Sequence, residues 1–154
     1  MTNPKVLLAS VAEALQDIPE LVELLGTAGA IRAYYHQWPD ATSWLEALRN
    51  LKPPGILVDY LGVGDGLLGQ MPARVHSMRL LIRDGAGASI YDILCQIDAG
   101  KRAHSGGLRW AQDAVSGMLM VREPTHVRLT IAATDNAFLD YWESRFELTE
   151  CTSL

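Results

Sequence analysis

The sequence contains few of the features that mark the commonest functional classes. It has two cysteines in 154 residues, Cys95 and Cys151, and so it has neither a disulfide framework nor a cysteine-based metal motif. Its 13 Lys and Arg residues are outnumbered by 18 Asp and Glu residues, which gives a net charge of −5. A dedicated nucleic-acid binder would normally carry a basic surface, and a membrane protein would carry a long apolar run. We therefore expect neither specific DNA binding nor a membrane partner.

Motifs for catalysis and for cofactor binding are also missing from the sequence. No histidine has a second histidine, a cysteine or a carboxylate at the spacing of a metal motif, and no nucleophile elbow or Cys–His signature is present. The glycine-rich residues 62–69 lack the Gly-Lys-Ser/Thr ending of a phosphate-binding loop, so we interpret them as a flexible hairpin loop. We expect no enzyme activity, no cofactor and no metal. The histidines are His36, His76, His104 and His126; we expect His76 and His126 to be hydrogen-bonded residues of a sheet.

The composition is that of an ordinary globular protein, with 49% hydrophobic and 20% charged residues. The length favours a single domain spanning residues 1–154. Apolar residues recur at helical spacing in residues 4–25, where Pro19 should kink or restart the helix and Gly26 should end it. A second clear helix begins after Ser89 and ends at Gly100, and Cys95 falls on its apolar side. A short helix through Leu51, capped by Asp40 or Thr42, lies between them.

Strands are predicted where apolar and polar residues alternate. Residues 56–61 and 75–83 should form a long antiparallel hairpin across the glycine-rich segment, and residues 117–121 and 126–133 should form two later strands. Residues 137–148 favour a strand with a charged outer face, although a helix also fits the spacing of their aromatic residues. The pattern predicts an α+β fold with a mainly antiparallel sheet and helices packed on one face.

The order of these segments, and their patterns of apolar and polar residues, resemble those of the tail terminator (tail completion) proteins of long-tailed bacteriophages. The resemblance covers most of the chain. It includes the amphipathic N-terminal helix, the proline-led strand of residues 53–62, the alternating strand of residues 76–83 and the helix with the Tyr-Asp-Ile-Leu sequence of residues 91–94. The final strand, residues 141–147, reads Tyr-Trp-Glu-Ser-Arg-Phe-Glu and is similar to a Y-x-E-x-R-F-E pattern.

This resemblance implies a structural virion protein that acts by binding. Copies of the chain would close into a hexameric ring that caps the tail tube, stops its polymerisation and presents a surface to the head–tail connector protein. DNA would pass through the lumen without specific binding, which suits an acidic protein. The expected partners are a second copy of the chain, the tail tube protein and the connector. The expected location is the tail or neck of the virion, and the host cytoplasm during assembly.

Two loops are the candidate contact sites for these partners. One is the glycine-rich loop with Gly64, Asp65 and Gly66, and the other is the basic loop of residues 101–107, with Lys101, Arg102 and His104. Two alternatives remain open. The chain is a different phage head–tail connector or neck protein, or it is a non-phage protein: a small ligand-binding α+β domain that uses residues 62–69, or an adaptor that binds one partner.

Overall fold

The structure, a computed structural model, describes residues 2–85, 90–102, 118–134 and 137–151. In these residues four helices accompany a five-stranded sheet with the strand order β1-β2-β3-β5-β4. The elements are α1 Pro4–Gln16, α2 Pro19–Leu25, β1 Ile31–Tyr34, α3 Trp44–Asn50, β2 Gly55–Leu68, β3 Met71–Arg83, α4 Ile90–Arg102, β4 Met118–Thr134 and β5 Ala137–Cys151. The sheet is mostly antiparallel, which confirms the predicted α+β class. No helix in the described ranges is long and apolar enough to cross a membrane.

The first two helices begin and end where their sequence requires. The Asn3 side chain accepts a hydrogen bond from the backbone N–H of Lys5, which caps α1, and Pro4 occupies the first turn. Pro19 begins α2, as predicted, because its ring cannot continue the preceding helix. Gly26 ends α2 with a left-handed φ of 87°.

Replacing Gly26 with alanine (Gly26→Ala) should lower the free energy of unfolding by about 1 kcal/mol, because a side chain disfavours the left-handed conformation. An added Cβ would contact nothing within 4 Å, so the cost comes from the backbone alone. Gly29→Ala is the matched control, since its φ is not positive and its added Cβ would meet only the Thr27 hydroxyl at 3.8 Å. Denaturant unfolding of both variants tests this, and equal midpoints would contradict it.

The strands pair unequally along their length. β1 pairs in parallel with β2 only from Ile56 to Asp59, whereas β3 pairs with the whole of β2, interrupted by an irregularity at Tyr60/Gly62. β5 lies between β3 and β4 and is antiparallel to both. The terminal segment is therefore a strand, and the helical alternative for it is wrong. In the described residues, β2 has no strand on its outer side after Asp59, and β4 has none along its outer edge.

The main core lies on one face of the sheet, beneath α1, α2 and α4. Alternate strand residues enter this core, as the sequence pattern predicts. Those on β3 are Met78, Leu80 and Ile82, and those on β5 are Phe146 and Leu148. Helix α4 contributes Ile90, Ile93, Leu94 and Ile97. Burial of each large side chain contributes roughly 1.5–3 kcal/mol before entropic costs.

A smaller core lies on the opposite face, beneath α3. It joins Leu48 and Leu51 to Leu57, Leu81 and Tyr141 of the sheet. Ser43 caps the start of α3 through the N–H of Glu46, and Arg83 Nη1 donates to the backbone carbonyls of Arg49 (2.9 Å) and Leu51 (2.7 Å) at its end. Helices α1, α2 and α4 thus pack on one face of the sheet, as predicted. Helix α3 packs on the opposite face, because Leu57 and Leu81, which point to that face, are also apolar.

Other details of the sequence prediction need correction. Residues 118–134 form one strand, with a shift in register between Arg122 and Thr125 where Glu123 and Pro124 were expected to end it. Cys95 is exposed, because it lies one turn beyond the exposed Tyr91 rather than on the stripe of isoleucines. Glu143 was expected on a solvent-facing surface but is buried beside α3.

Candidate assembly surface

The end of the β2–β3 hairpin, which we define as the arm, comprises residues 61–75 and has no described strand beside its β2 side. Gly69, with a φ of 64°, forms its turn together with Gln70. β5 pairs with β3 only as far as Ala73, so the tip of the arm lies beyond the described strand beside it. Because β1 stops pairing at Asp59, the β2 side of the arm carries backbone hydrogen-bonding groups along a sheet edge. Such edges pair readily with another chain unless they are blocked.

The arm presents exposed apolar side chains on both of its faces and an ion pair on one of them. Arg74 Nη1 lies 2.7 Å from Asp65 Oδ1, and the Asp65 side chain is 87% exposed. The large apolar residues exposed on the arm are Leu61, Val63, Leu67 and Met71. Leu67 is 70% exposed. Several exposed large apolar residues on one hairpin are typical of a surface that contacts another protein.

The β4–β5 hairpin lies at the opposite end of the sheet. β3 pairs with β5 only as far as Trp142, so residues 137–141 pair with β4 alone. Its surface again combines exposed apolar residues, Val127 and Phe138, with an ion pair between Arg128 Nη2 and Asp140 Oδ2 at 3.7 Å. The alternation of apolar and polar residues in β4 predicts that Val127 points inward. It points to the α3 face, as Leu129 and Ile131 do, but it lies beyond the cover of α3 and is 45% exposed.

The structure changes the local conformation expected at the predicted contact residues. Gly64, Asp65 and Gly66 were placed in a flexible loop but belong to β2, because pairing with β3 holds this segment extended despite its glycines. Lys101 and Arg102 were also placed in a loop and are instead the last two residues of α4. His104 lies outside the described residues. The predicted sites therefore lie on two separate elements, and their role in partner contact stays a prediction.

Residues that sequence reasoning missed form an ionic cluster under α3. Arg79 Nε donates to Asp59 Oδ2 at 2.7 Å, and Arg79 Nη1 lies 3.6 Å from Glu143 Oε2. The Arg79 guanidinium also stacks on Trp44, 4.6 Å from the ring centre, and Arg145 contacts Glu143 from the outside. Burial raises the pKa of Asp59, although the hydrogen bond and charge of Arg79 oppose this rise. The arrangement attaches α3 to the sheet, and it is closed to a ligand because each buried charge already has a partner.

His126 joins Asp98 of α4 to Ser144 of β5. Its Nε2 lies 3.0 Å from Asp98 Oδ1 and its Nδ1 lies 2.5 Å from Ser144 Oγ. The three residue types are those of a serine hydrolase, but Ser144 has no exposed surface. A substrate carbonyl therefore has no route to this hydroxyl, and the group is best explained as a polar link between α4 and the sheet. His126 is a hydrogen-bonded sheet residue, as predicted.

His76 is fully buried and lies at the base of the arm. Its Nδ1 is 2.9 Å from Tyr60 Oη and its Nε2 is 2.9 Å from Glu150 Oε2. Thr2 donates to the same carboxylate through its backbone N–H (3.1 Å) and its hydroxyl (2.7 Å). Burial raises the pKa of Glu150, but the hydrogen bonds from His76 and Thr2 outweigh that effect and hold it at about 2. This network fixes the start of the chain to β5 beside the arm.

Two surface cavities are lined by described residues. One, of about 330 Å³, is lined by Tyr34, Trp38, Pro39, Asp40, Ala41 and Thr42. The other, of about 290 Å³, is lined by Leu61, Ser77, Met78, Thr125, Arg145, Phe146 and Glu147. Neither lining includes a histidine or a cysteine among the described residues. The described part of the chain also contains no group of three metal-binding side chains.

Comparison with known proteins does not assign a family. Neither a scan of the chain against protein-family models nor a search of curated proteins finds a match.

Proposed function

We propose that this chain is a structural assembly subunit that forms a ring, and that the ring caps the tail tube of a long-tailed bacteriophage. The observation that carries the proposal is the pair of hairpins at opposite ends of one sheet, each with exposed apolar side chains and an exposed ion pair. Two different surfaces on one subunit are what head-to-tail association requires, and such a contact closes into a ring when its rotation closes.

The buried polar groups favour assembly over catalysis. In the described residues, side-chain hydrogen bonds that link elements of the fold involve Arg79, His76 and His126. These side chains therefore stabilise the subunit. The net charge of −5 suits a lumen through which DNA slides without being held. One end of the ring would bind the last ring of tube protein, and the other end would face the head–tail connector.

The alternative function as a small ligand-binding domain loses its main support. That hypothesis placed the ligand in a loop at residues 62–69, but these residues form strand and turn, and no helix begins behind them to present N–H groups to a phosphate. A phage connector protein would share the assembly logic and differ in its partner, so binding to tail tubes separates the two readings.

Replacing Leu67 with aspartate (Leu67→Asp) should abolish ring formation and tube capping, because it places a charge among the exposed apolar residues of the arm. Stability should change by less than about 0.5 kcal/mol, since the side chain is mostly exposed. Negative-stain electron microscopy of the protein at high concentration, alone and mixed with tail tubes, is the measurement.

Val6→Asp is the matched control for this experiment, because Val6 is also an exposed apolar residue but lies on α1, away from both hairpins. The control should form rings as the parent protein does. A parent protein that stays monomeric and leaves tubes uncapped would overturn the proposed function.

A further inference from the structure

We propose that neighbouring copies join by strand pairing, in which the β2 edge of the arm on one copy pairs with the β4 edge of the next. This inference rests on the proposed ring and names the contact that would build it. Four independent features of the two edges support it: strand direction, available length, side-chain size and charge.

The direction of the strands fits a head-to-tail contact. β2, β3, β5 and β4 alternate in direction across the sheet, so β4 runs opposite to β2. A second copy in the same orientation therefore presents its β2 antiparallel to the first copy's β4. The combined sheet continues its alternation, and the same face of the sheet continues from copy to copy. The contact uses different surfaces on the two copies, as a cyclic ring requires.

The lengths of the open edges select one register. In the described residues the β2 edge is open from Tyr60 to Leu68, and β1 occupies the edge up to Asp59. The register that places Asp65 opposite Arg128 of the next copy brings Thr134, the last residue of β4, beside Asp59. Tyr34, the last residue of β1, already pairs with Asp59, so the pairing between copies ends at Tyr60 and Thr134 has to leave the edge at that point.

Side chains on the α3 face are complementary in size in this register. Gly62, Gly64 and Gly66 point to that face of β2, because they pair with Ser77, Val75 and Ala73. They would lie opposite three bulky β4 residues of the same face, namely Ile131, Leu129 and Val127. Gly62 and Gly64 have no atom within 4 Å of an added Cβ, so they leave space that Ile131 and Leu129 of the neighbouring copy would fill, whereas Val75 of the same copy already fills the space at Gly66. This arrangement also covers Val127, which is 45% exposed in the single copy.

Charges on the opposite face are complementary as well. Asp65 pairs with Arg74 in its own copy, and Arg128 pairs with Asp140 in its own copy. Placing Asp65 against Arg128 produces a row of alternating sign across four strands: Arg74, Asp65, Arg128 and Asp140. Directly opposed opposite charges stabilise strand pairing, whereas a slip by two residues would place Asp65 against Thr130 or His126.

Site-directed crosslinking between two variants tests the register. In a background with Cys95→Ser and Cys151→Ser, copies carrying Asp65→Cys are mixed with copies carrying Arg128→Cys and oxidised gently. Because paired residues of adjacent strands bring their Cβ atoms within about 5.5 Å, a disulfide should form between the two variants. Asp65→Cys mixed with Val127→Cys is the control, since Val127 points to the other face and should crosslink at least tenfold less.

Charge reversal provides a second test that does not need a disulfide. Asp65→Lys and Arg128→Glu should each weaken self-association at least tenfold, measured by sedimentation, with unchanged circular dichroism. The double variant restores opposite signs across the contact and should return to within about threefold of the parent affinity.

The outcomes separate this inference from the proposed function. Rings that form without the Asp65–Arg128 crosslink, or with an equal crosslink at Val127, would overturn the strand pairing and leave the ring intact. Failure of the double variant to recover affinity would also count against the register. A parent protein that never self-associates would overturn the ring itself, and the strand pairing with it.

Discussion

Replacing Arg79 with methionine (Arg79→Met) should lower the free energy of unfolding by about 3–5 kcal/mol, the typical cost of removing one partner from a buried ion pair. Arg79 is the cation between two buried carboxylates, with Asp59 on the strand to one side and Glu143 on the strand to the other. Methionine fills much of the same volume, so the loss comes from uncompensated charge and from the lost contact with Trp44. Urea unfolding of the parent and the variant measures this difference in the free energy of unfolding.

The loss of folding stability caused by Arg79→Met should be smaller in acid. Burial already raises the pKa of Asp59 against the opposing interactions with Arg79, so without Arg79 this carboxyl should protonate at still higher pH. A carboxyl whose pKa is higher in the folded state costs stability only while it is ionised, and that cost disappears as the pH falls. The difference between parent and variant should therefore be smaller at about pH 4 than at about pH 7.

Arg128→Met is the control for this experiment, because Arg128 belongs to an ion pair whose side chains are 66% and 58% exposed. Such pairs contribute about 0–1 kcal/mol, so this variant should unfold close to the parent. If Arg79→Met and Arg128→Met prove equally stable, the ionic cluster does not hold α3 to the sheet.

Acidification should destabilise the parent protein through Glu150. Its pKa is about 2 in the folded protein, against an ordinary value of 4.5, so the stabilisation is complete above about pH 4.5 and is lost as the pH falls toward 2. The full loss is on the order of 3 kcal/mol, because each unit of pKa shift corresponds to about 1.4 kcal/mol. The hydrogen bonds from His76 and Thr2 to the carboxylate are the physical source of this effect.

Glu150→Gln should remove this part of the acid sensitivity, since an amide does not titrate. Free energies of unfolding measured at several pH values between about 2 and 6 provide the comparison. Glu23→Gln, at an exposed position of α2, should keep the acid-induced loss of the parent protein. A Glu150→Gln variant that loses as much stability in acid as the parent would contradict the assignment.

Local patterns were enough to predict most elements of the fold. The break at Pro19, the stop at Gly26 and the alternation in β3 depend on neighbouring residues, and each is confirmed. The glycine-rich segment was misassigned because glycine has little intrinsic preference for a strand, and its extended form depends on pairing with β3. Local sequence carries no information about such a partner.

The candidate surface was harder to predict, because its contacts join residues that are distant in the sequence. Asp65 was identified from its loop-like surroundings, but its partner Arg74 follows from the register of the hairpin. Glu143 was read as solvent-facing because its strand alternates, whereas its burial depends on α3, which lies almost a hundred residues earlier in the chain. Arg128 and Asp140 become neighbours only through the pairing of β4 with β5.

The position of β5 in the sheet has a consequence for synthesis. β5 is translated after the other four strands, yet it lies between β3 and β4 and is the only strand that joins them in the described residues. On the ribosome, β1, β2 and β3 can pair as they emerge, while β4 has no partner until the 15 residues of β5 follow. The five-stranded sheet of the described residues is therefore completed only after β5 has emerged, and β4 stays without a strand partner in it until then.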